Sequence, residues 1–220
     1  MKSFFYNPTP SAFEGYTRHV NHTMPTVSLK RSLAIALIFQ IAWIALGIIA
    51  ALSGTNVYWL LLVANLFTLW VPVFFTLVTR IQLSARFQVA FAAFISVSSL
   101  IGSLLGGYAS IPHWDTIVHF YSGVLLAWFG FILVVNVEKS IQQSLPHWFK
   151  NSVVLMTPVA FAAIWEVYEY MSDMLLGTSM QAGGLGDTVI DMLAGLLGAF
   201  VALIVSMLWA VKNKGNSLEK

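Results

Sequence analysis

The amino-acid sequence predicts an all-α, polytopic membrane helix bundle, and three observations carry that prediction. The chain of 220 residues is 58% hydrophobic and only 9% charged, against roughly 25% charged residues in a soluble domain. Its apolar residues gather into six continuous stretches, each near the ~20 residues a transmembrane helix needs. Threading those stretches through a membrane puts every lysine and arginine on the same side.

The expected spans run from Leu33 to Leu52, Val57 to Val78, Phe87 to Tyr108, Thr116 to Val137, Val153 to Asp173 and Thr188 to Val211. They are unbroken rather than alternating, and twice the length of a barrel strand, so helices are predicted. The expected organisation is an N-terminal segment over residues 1–32, one transmembrane domain over 33–211 and a tail over 212–220. The first thirty residues are polar and aromatic, unlike a cleavable signal peptide. Pro72 and Pro158 are candidate kinks in spans two and five, and Gln40, Asn65 and Asn136 are candidates for hydrogen bonds between helices.

Orientation follows from charge. Lys2, Arg18, Lys30 and Arg31 precede span one; Arg80 and Arg86 join spans two and three; Lys139 and Lys150 join four and five; Lys212, Lys214 and Lys220 follow span six. The positive-inside rule makes this side cytoplasmic, with both termini inside. Trp59, Trp114, Trp148 and Trp209 lie near span ends, as an interfacial aromatic belt requires. Basic residues this sparse give no nucleic-acid signature, and the absence of cysteine excludes disulfides, thiolate ligands and cysteine nucleophiles.

The acids behave in the opposite way. Only Glu14, Glu138 and Glu219 lie on the basic side; Asp115, Glu166, Glu169, Asp173, Asp187 and Asp191 cluster at the outer ends of spans four to six. Asp115 and His119 are four apart, as are Asp187 and Asp191. Glu166, Glu169 and Asp173 follow an i, i+3, i+7 pattern on one helix face. Glu166 lies 13 residues beyond Val153, about 20 Å along the helix and so in the outer third of a bilayer. A carboxylate inside a span costs roughly 2.5–3.5 kcal/mol at the centre, and less near the interface. With no basic partner on that side, the compensation must come from protons, a bound cation or a water-filled pocket.

Solvated loop acids are the plain explanation for Asp173 and Asp187. Helix N-caps are the plain explanation for Asp115 and Asp187, each followed by threonine and an apolar run. His119, Glu166, Glu169 and Asp191 sit inside apolar runs and form the expected polar site. They are the candidate metal ligands, with Glu166 and Glu169 as candidate catalytic carboxylates and Asp115, Asp187 and Asp173 as binding or rim residues. One imidazole with several carboxylates suits a divalent metal such as zinc, manganese or iron. Gly102 and Gly106 in span three, and Gly195 and Gly198 in span six, are candidates for close helix packing. The run Gly183-Gly184-Leu185-Gly186 has no lysine after it, so it reads as an outer turn rather than a phosphate loop.

These motifs in order are Trp114-Asp115-Thr116-Ile117-Val118-His119-Phe120, Trp165-Glu166 with Glu169, Gly177-Thr178, and Gly186-Asp187-Thr188-Val189-Ile190-Asp191-Met192 with Gly198-Ala199. Over about Pro112 to Ala199 they resemble the YjdF-like family of bacterial inner-membrane proteins, whose function is unknown. More distantly they are similar to VanZ-like proteins, associated with glycopeptide resistance and the cell envelope. There an asparagine stands where this chain has Gly195, and the arginine of that pattern has no counterpart before Asp191. The resemblance implies a bacterial plasma-membrane location and an envelope setting. Three functional classes follow: a metal-dependent enzyme acting on a lipid or envelope substrate, a proton or cation carrier, and a non-catalytic assembly or docking protein.

The topology has a direct test. A reporter that works only in the periplasm is expected to be silent when fused after Lys214, and active when fused in the loop between spans three and four. Activity after Lys214 would overturn the orientation.

Overall fold

The computed structural model describes residues 29–54, 59–181 and 183–218. All regular structure there is helical, with no strand among the described residues. The chain forms α1 (Leu29–Leu52), α2 (Trp59–Thr68), α3 (Val71–Thr79) and α4 (Ala85–Val97). A π-helical segment (Ser98–Leu104) then leads to α5 (Gly107–Ser110), α6 (Trp114–Ile141), α7 (His147–Leu176) and α8 (Leu185–Leu218). The segment expected over residues 1–32 lies outside the described residues up to position 28, and α1 already includes Lys30 and Arg31.

Five helices among the described residues are long and apolar enough to cross a membrane: Leu29–Leu52, Ala85–Leu104, Trp114–Ile141, His147–Leu176 and Leu185–Trp209. Their outward faces carry large apolar side chains such as Ile38, Ile41, Val97, Ile164 and Leu208. Such a surface suits a lipid bilayer and not water.

The second expected span is not one helix. It is divided into α2 and α3, with Leu69 and Trp70 between them. The cause is Pro72 in the first turn of α3. It has no N–H to donate, and its ring clashes with the carbonyl four residues back. The chain tightens there, with Trp70 N–H bonding to Phe67 O. Pro158 by contrast stays inside α7, fully buried.

The bundle has two parts joined at α6. In one, α1 packs on α2, α3 and α4. Polar side chains fasten these helices: Trp43 donates to Ser96, Trp70 to Gln40, Ser99 to Asn65 and Gln88 to Ser32. Gln40 and Asn65 thus bond between helices as expected, whereas Asn136 donates to Ile132 O within its own helix. In the other part α6, α7 and α8 pack on one another, around a core of Ala127, Phe131, Val134, Val154, Ala199 and Leu203.

Glycine sets the closest approach. A Cβ on Gly123 of α6 would meet the backbone of Gly195, and one on Gly198 would meet Phe120 O, both far inside contact distance. Gly195 and Gly198 therefore serve close packing of α6 on α8. Gly102 and Gly106 do not form the expected helix-packing pair. Gly102 makes room for the side chains of Tyr108 and Trp114, and Gly106 is a left-handed residue that starts α5. Trp114 accordingly packs inward at Gly102 and does not stand in an aromatic belt.

The opposite end of α6 is clamped. Lys150 is only 1% exposed, and its Nζ donates to Glu138 Oε1 at 2.8 Å. The same oxygen accepts from Leu145 N–H at 2.8 Å and Ser144 Oγ at 3.2 Å, which fixes the turn between α6 and α7.

Two stability outcomes follow, each read as thermal unfolding in detergent. Gly123→Ala is expected to cost roughly 1–3 kcal/mol through overpacking, while Gly186→Ala, where a Cβ meets open space, stays near neutral. Glu138→Ala is expected to cost about 3–5 kcal/mol by leaving the Lys150 charge buried without its carboxylate, and adding Lys150→Met recovers part of that loss.

Candidate functional site

The α6–α8 seam carries the site. His119 lies one turn before Gly123, and Asp191 one turn before Gly195, so the close glycine contact draws both side chains to one level. His119 Nε2 stands 3.5 Å from Asp115 Oδ1 and 3.9 Å from Asp191 Oδ2. One ligand atom from each of Asp115, His119 and Asp191 falls within 4.8 Å of the others. His119 is 6% exposed and Asp191 1%, while Asp115 is half-buried. Asp191 Oδ1 is enclosed and has no hydrogen-bond partner among the described residues.

The spacing fits a metal. Two ligands about 2.1 Å from one tetrahedral zinc-like ion stand about 3.4 Å apart, close to the observed 3.5 and 3.9 Å. Three protein ligands would leave a coordination position open for water or substrate.

Of the residues expected as metal ligands, His119 and Asp191 converge with Asp115, which was expected at the rim, while Glu166 and Glu169 lie outside this converging trio. Both glutamates are buried on α7 beside it. Glu166 is within electrostatic reach of Asp115, His119 and Asp191. Its Oε1 is enclosed without a partner, while Oε2 lies 3.4 Å from Gln181 Nε2. Glu169 Oε1 accepts from Trp165 Nε1 at 2.8 Å, one turn earlier on the same helix.

Neither Asp115 nor Asp187 is an N-cap. His113, in a left-handed conformation, caps α6 and makes no side-chain bond, which leaves Asp115 inside the first turn. Asp187 is the third residue of α8 and folds against Gly183. Both acids still favour the positive ends of their helices. Asp173, on the expected shared face with Glu166 and Glu169, is partly buried and bonds into the α7–α8 connection. Its carboxylate accepts from Thr178 Oγ1, Met180 N–H and Gln181 N–H at 2.5, 2.7 and 2.9 Å.

Tyr108, Gln181 and Thr188 carry no such expectation from the sequence. Tyr108 comes from α5 and packs its ring over Gly102. Its phenol lies within electrostatic reach of Asp115, Glu169 and Asp191. Its position after Gly106-Gly107, where span three ends, is a faint signal. Gln181 donates to Thr188 Oγ1 at 3.0 Å as well as to Glu166. It lies in a loop, where spacing rules give no direction.

Among known proteins, the chain is similar to an uncharacterised protein of Thermotoga maritima, 25% identical over 129 residues. That match covers 59% of this chain and 66% of the other. No solved structure matches it. Residues 32–212, which hold the whole bundle and every group of the site, match the family described as "Predicted membrane protein (DUF2238)". That family is the YjdF-like one, and the chain belongs to it.

Proposed function

We propose that this is a six-span protein of the bacterial inner membrane, with both termini in the cytoplasm and its carboxylate–histidine site facing outward. In this reading α2 and α3 together make the second crossing. Residues 59–79 span about 30 Å at 1.5 Å per residue, enough for a bilayer core. One domain then occupies residues 33–211, with a cytoplasmic segment before it and a tail after it. The confinement of lysine and arginine to one side supports the orientation.

The site binds a divalent cation through Asp115, His119 and Asp191, and uses it on a lipid or cell-envelope substrate. One observation carries this. Three ligand atoms converge within 4.8 Å, two of the residues are almost wholly buried, and one of the Asp191 oxygens lacks a partner. An enclosed carboxylate in that state is compensated by a proton or by a cation, and the imidazole and second carboxylate converging on it favour the cation. A divalent ion would polarise a phosphoryl or carbonyl oxygen and acidify bound water. Glu166, beside the ligands with a free oxygen, is placed to take the proton, and Glu169 is held in reserve by Trp165. Asp187 and the phenol of Tyr108 line the approach, and Asp173 holds the neighbouring loop. The similarity to VanZ-like proteins in the order of Asp115, His119, the later Glu166 and Asp191 supports an envelope substrate.

A carrier fits less well, because Gln40, Asn65, Gln88, Ser96 and Ser99 are engaged in bonds between helices. A docking surface fits poorly with acids as enclosed as Asp191 and Glu166.

Metal analysis decides the matter. Protein purified without chelator is expected to retain a divalent ion, and chelator-stripped protein to bind Mn²⁺ again. His119→Ala and Asp191→Asn are expected to lose at least tenfold in Mn²⁺ affinity, since coordinating ligands count for more than the 10–100-fold that supporting partners cost. Equal Mn²⁺ binding by wild type and both variants would sink the proposal.

A further inference from the structure

Gln181 donates through one side-chain nitrogen to Thr188 Oγ1 at 3.0 Å and to both the carbonyl and Oε2 of Glu166 at 3.4 Å. It thereby ties the loop to α7 on one side and α8 on the other. The loop itself is fixed from below. Gly177 ends α7 in the left-handed conformation, and the chain folds back over Asp173. Both oxygens of that carboxylate are used, and one of its three bonds goes to the backbone N–H of Gln181 itself. Asp173 therefore places Gln181, and Gln181 meets Glu166.

We propose that Gln181 is a positioning residue for Glu166, anchored by Asp173, and that it turns the free oxygen of Glu166 toward the Asp115–His119–Asp191 centre. This rests on the metal reading above. With Oε2 held by the amide, Oε1 is the oxygen left enclosed and without a partner. The residue is 6% exposed, so water offers it little. The choice of an amide matters. A lysine or arginine would hold the carboxylate but also neutralise it, whereas an amide orients the anion and leaves its charge for a cation or a proton. No lysine or arginine occurs between Lys150 and Lys212, or between Arg86 and Lys139, so the donor to Glu166 is a neutral one.

The test is a double-mutant cycle on the full chain in detergent, stripped with chelator and titrated with Mn²⁺ alone, free Mn²⁺ being read by electron paramagnetic resonance. Gln181→Met keeps the length of the side chain and removes the amide. It is expected to weaken Mn²⁺ binding several-fold, by turning away the charge of Glu166, which faces the ion without ligating it. Asp173→Ala is expected to match it. Combined with Glu166→Gln, Gln181→Met should add less than about twofold, because its target is gone. An unchanged affinity in Gln181→Met, or the same loss in the Glu166→Gln background, overturns the proposal. If wild type binds no Mn²⁺, the metal reading has failed by itself. The same four proteins are then compared by thermal unfolding, where coupling between the two substitutions supports the positioning bond and strictly additive losses reject it.

Discussion

The contact on which the site depends contains no functional group. At Gly123 of α6, against the backbone of Gly195, and at Gly198 of α8, against that of Phe120, two helix backbones come close enough that no Cβ on Gly123 or Gly198 could stand between them. Between lipid-solvated helices there is little hydrophobic drive, so such close packing supplies much of the attraction. It also sets geometry. His119 and Asp191 each lie one turn from a glycine of the seam, and they face each other because the backbones do. Asp115, one turn further back on α6, reaches the same imidazole. A larger residue in the seam would separate the ligands before it touched any of them.

Around that seam the carboxylates divide by what they meet. Asp173 and Glu169 have found protein donors, in the loop and in Trp165. Asp191 and Glu166 each keep an enclosed oxygen with no donor. The cost of burying a charge is repaid by a partner or avoided by protonation, so these two carboxylates are the ones that protein donors compensate least. They belong to different helices, α8 and α7, and His119 on α6 stands between those helices in the packing. The candidate site is thus a property of the three-helix unit and not of any one motif.

Much of this was legible in the sequence. A charge-poor chain with long apolar runs could only be helical in lipid, and acids inside those runs, Glu166 and Asp191 above all, stood out because hydrocarbon penalises them. Four-residue spacing brought Asp115 to His119 correctly. For Asp173 helix periodicity gave only a face, and it could not foresee a loop that returns to bond the carboxylate. Whether Asp115 converged with His119 or stayed at the rim depended on where α6 begins, and His113 in a left-handed conformation starts it two residues earlier than an Asp115 cap would. Pro72 was visible as a disturbance, but a kink and a break differ only in how neighbouring helices accept the freed carbonyls. Gln181 and Tyr108 come to the site through tertiary packing, which no local pattern encodes.

The two ends of α6 show what separates a structural charge from an exchangeable one. At the end near Ile141, the buried Lys150 meets Glu138, and the pair is completed by Ser144 and the backbone of Leu145. Every group has a partner of fixed sequence, so nothing need come or go. At the end near Trp114, five carboxylates and one imidazole gather with no lysine or arginine in reach. Had that cluster only to be stable, a single basic side chain would have served as it does at Lys150. With no basic side chain in that cluster, its charge balance depends on protons or ions from the surroundings, a dependence from which the Lys150–Glu138 pair is free.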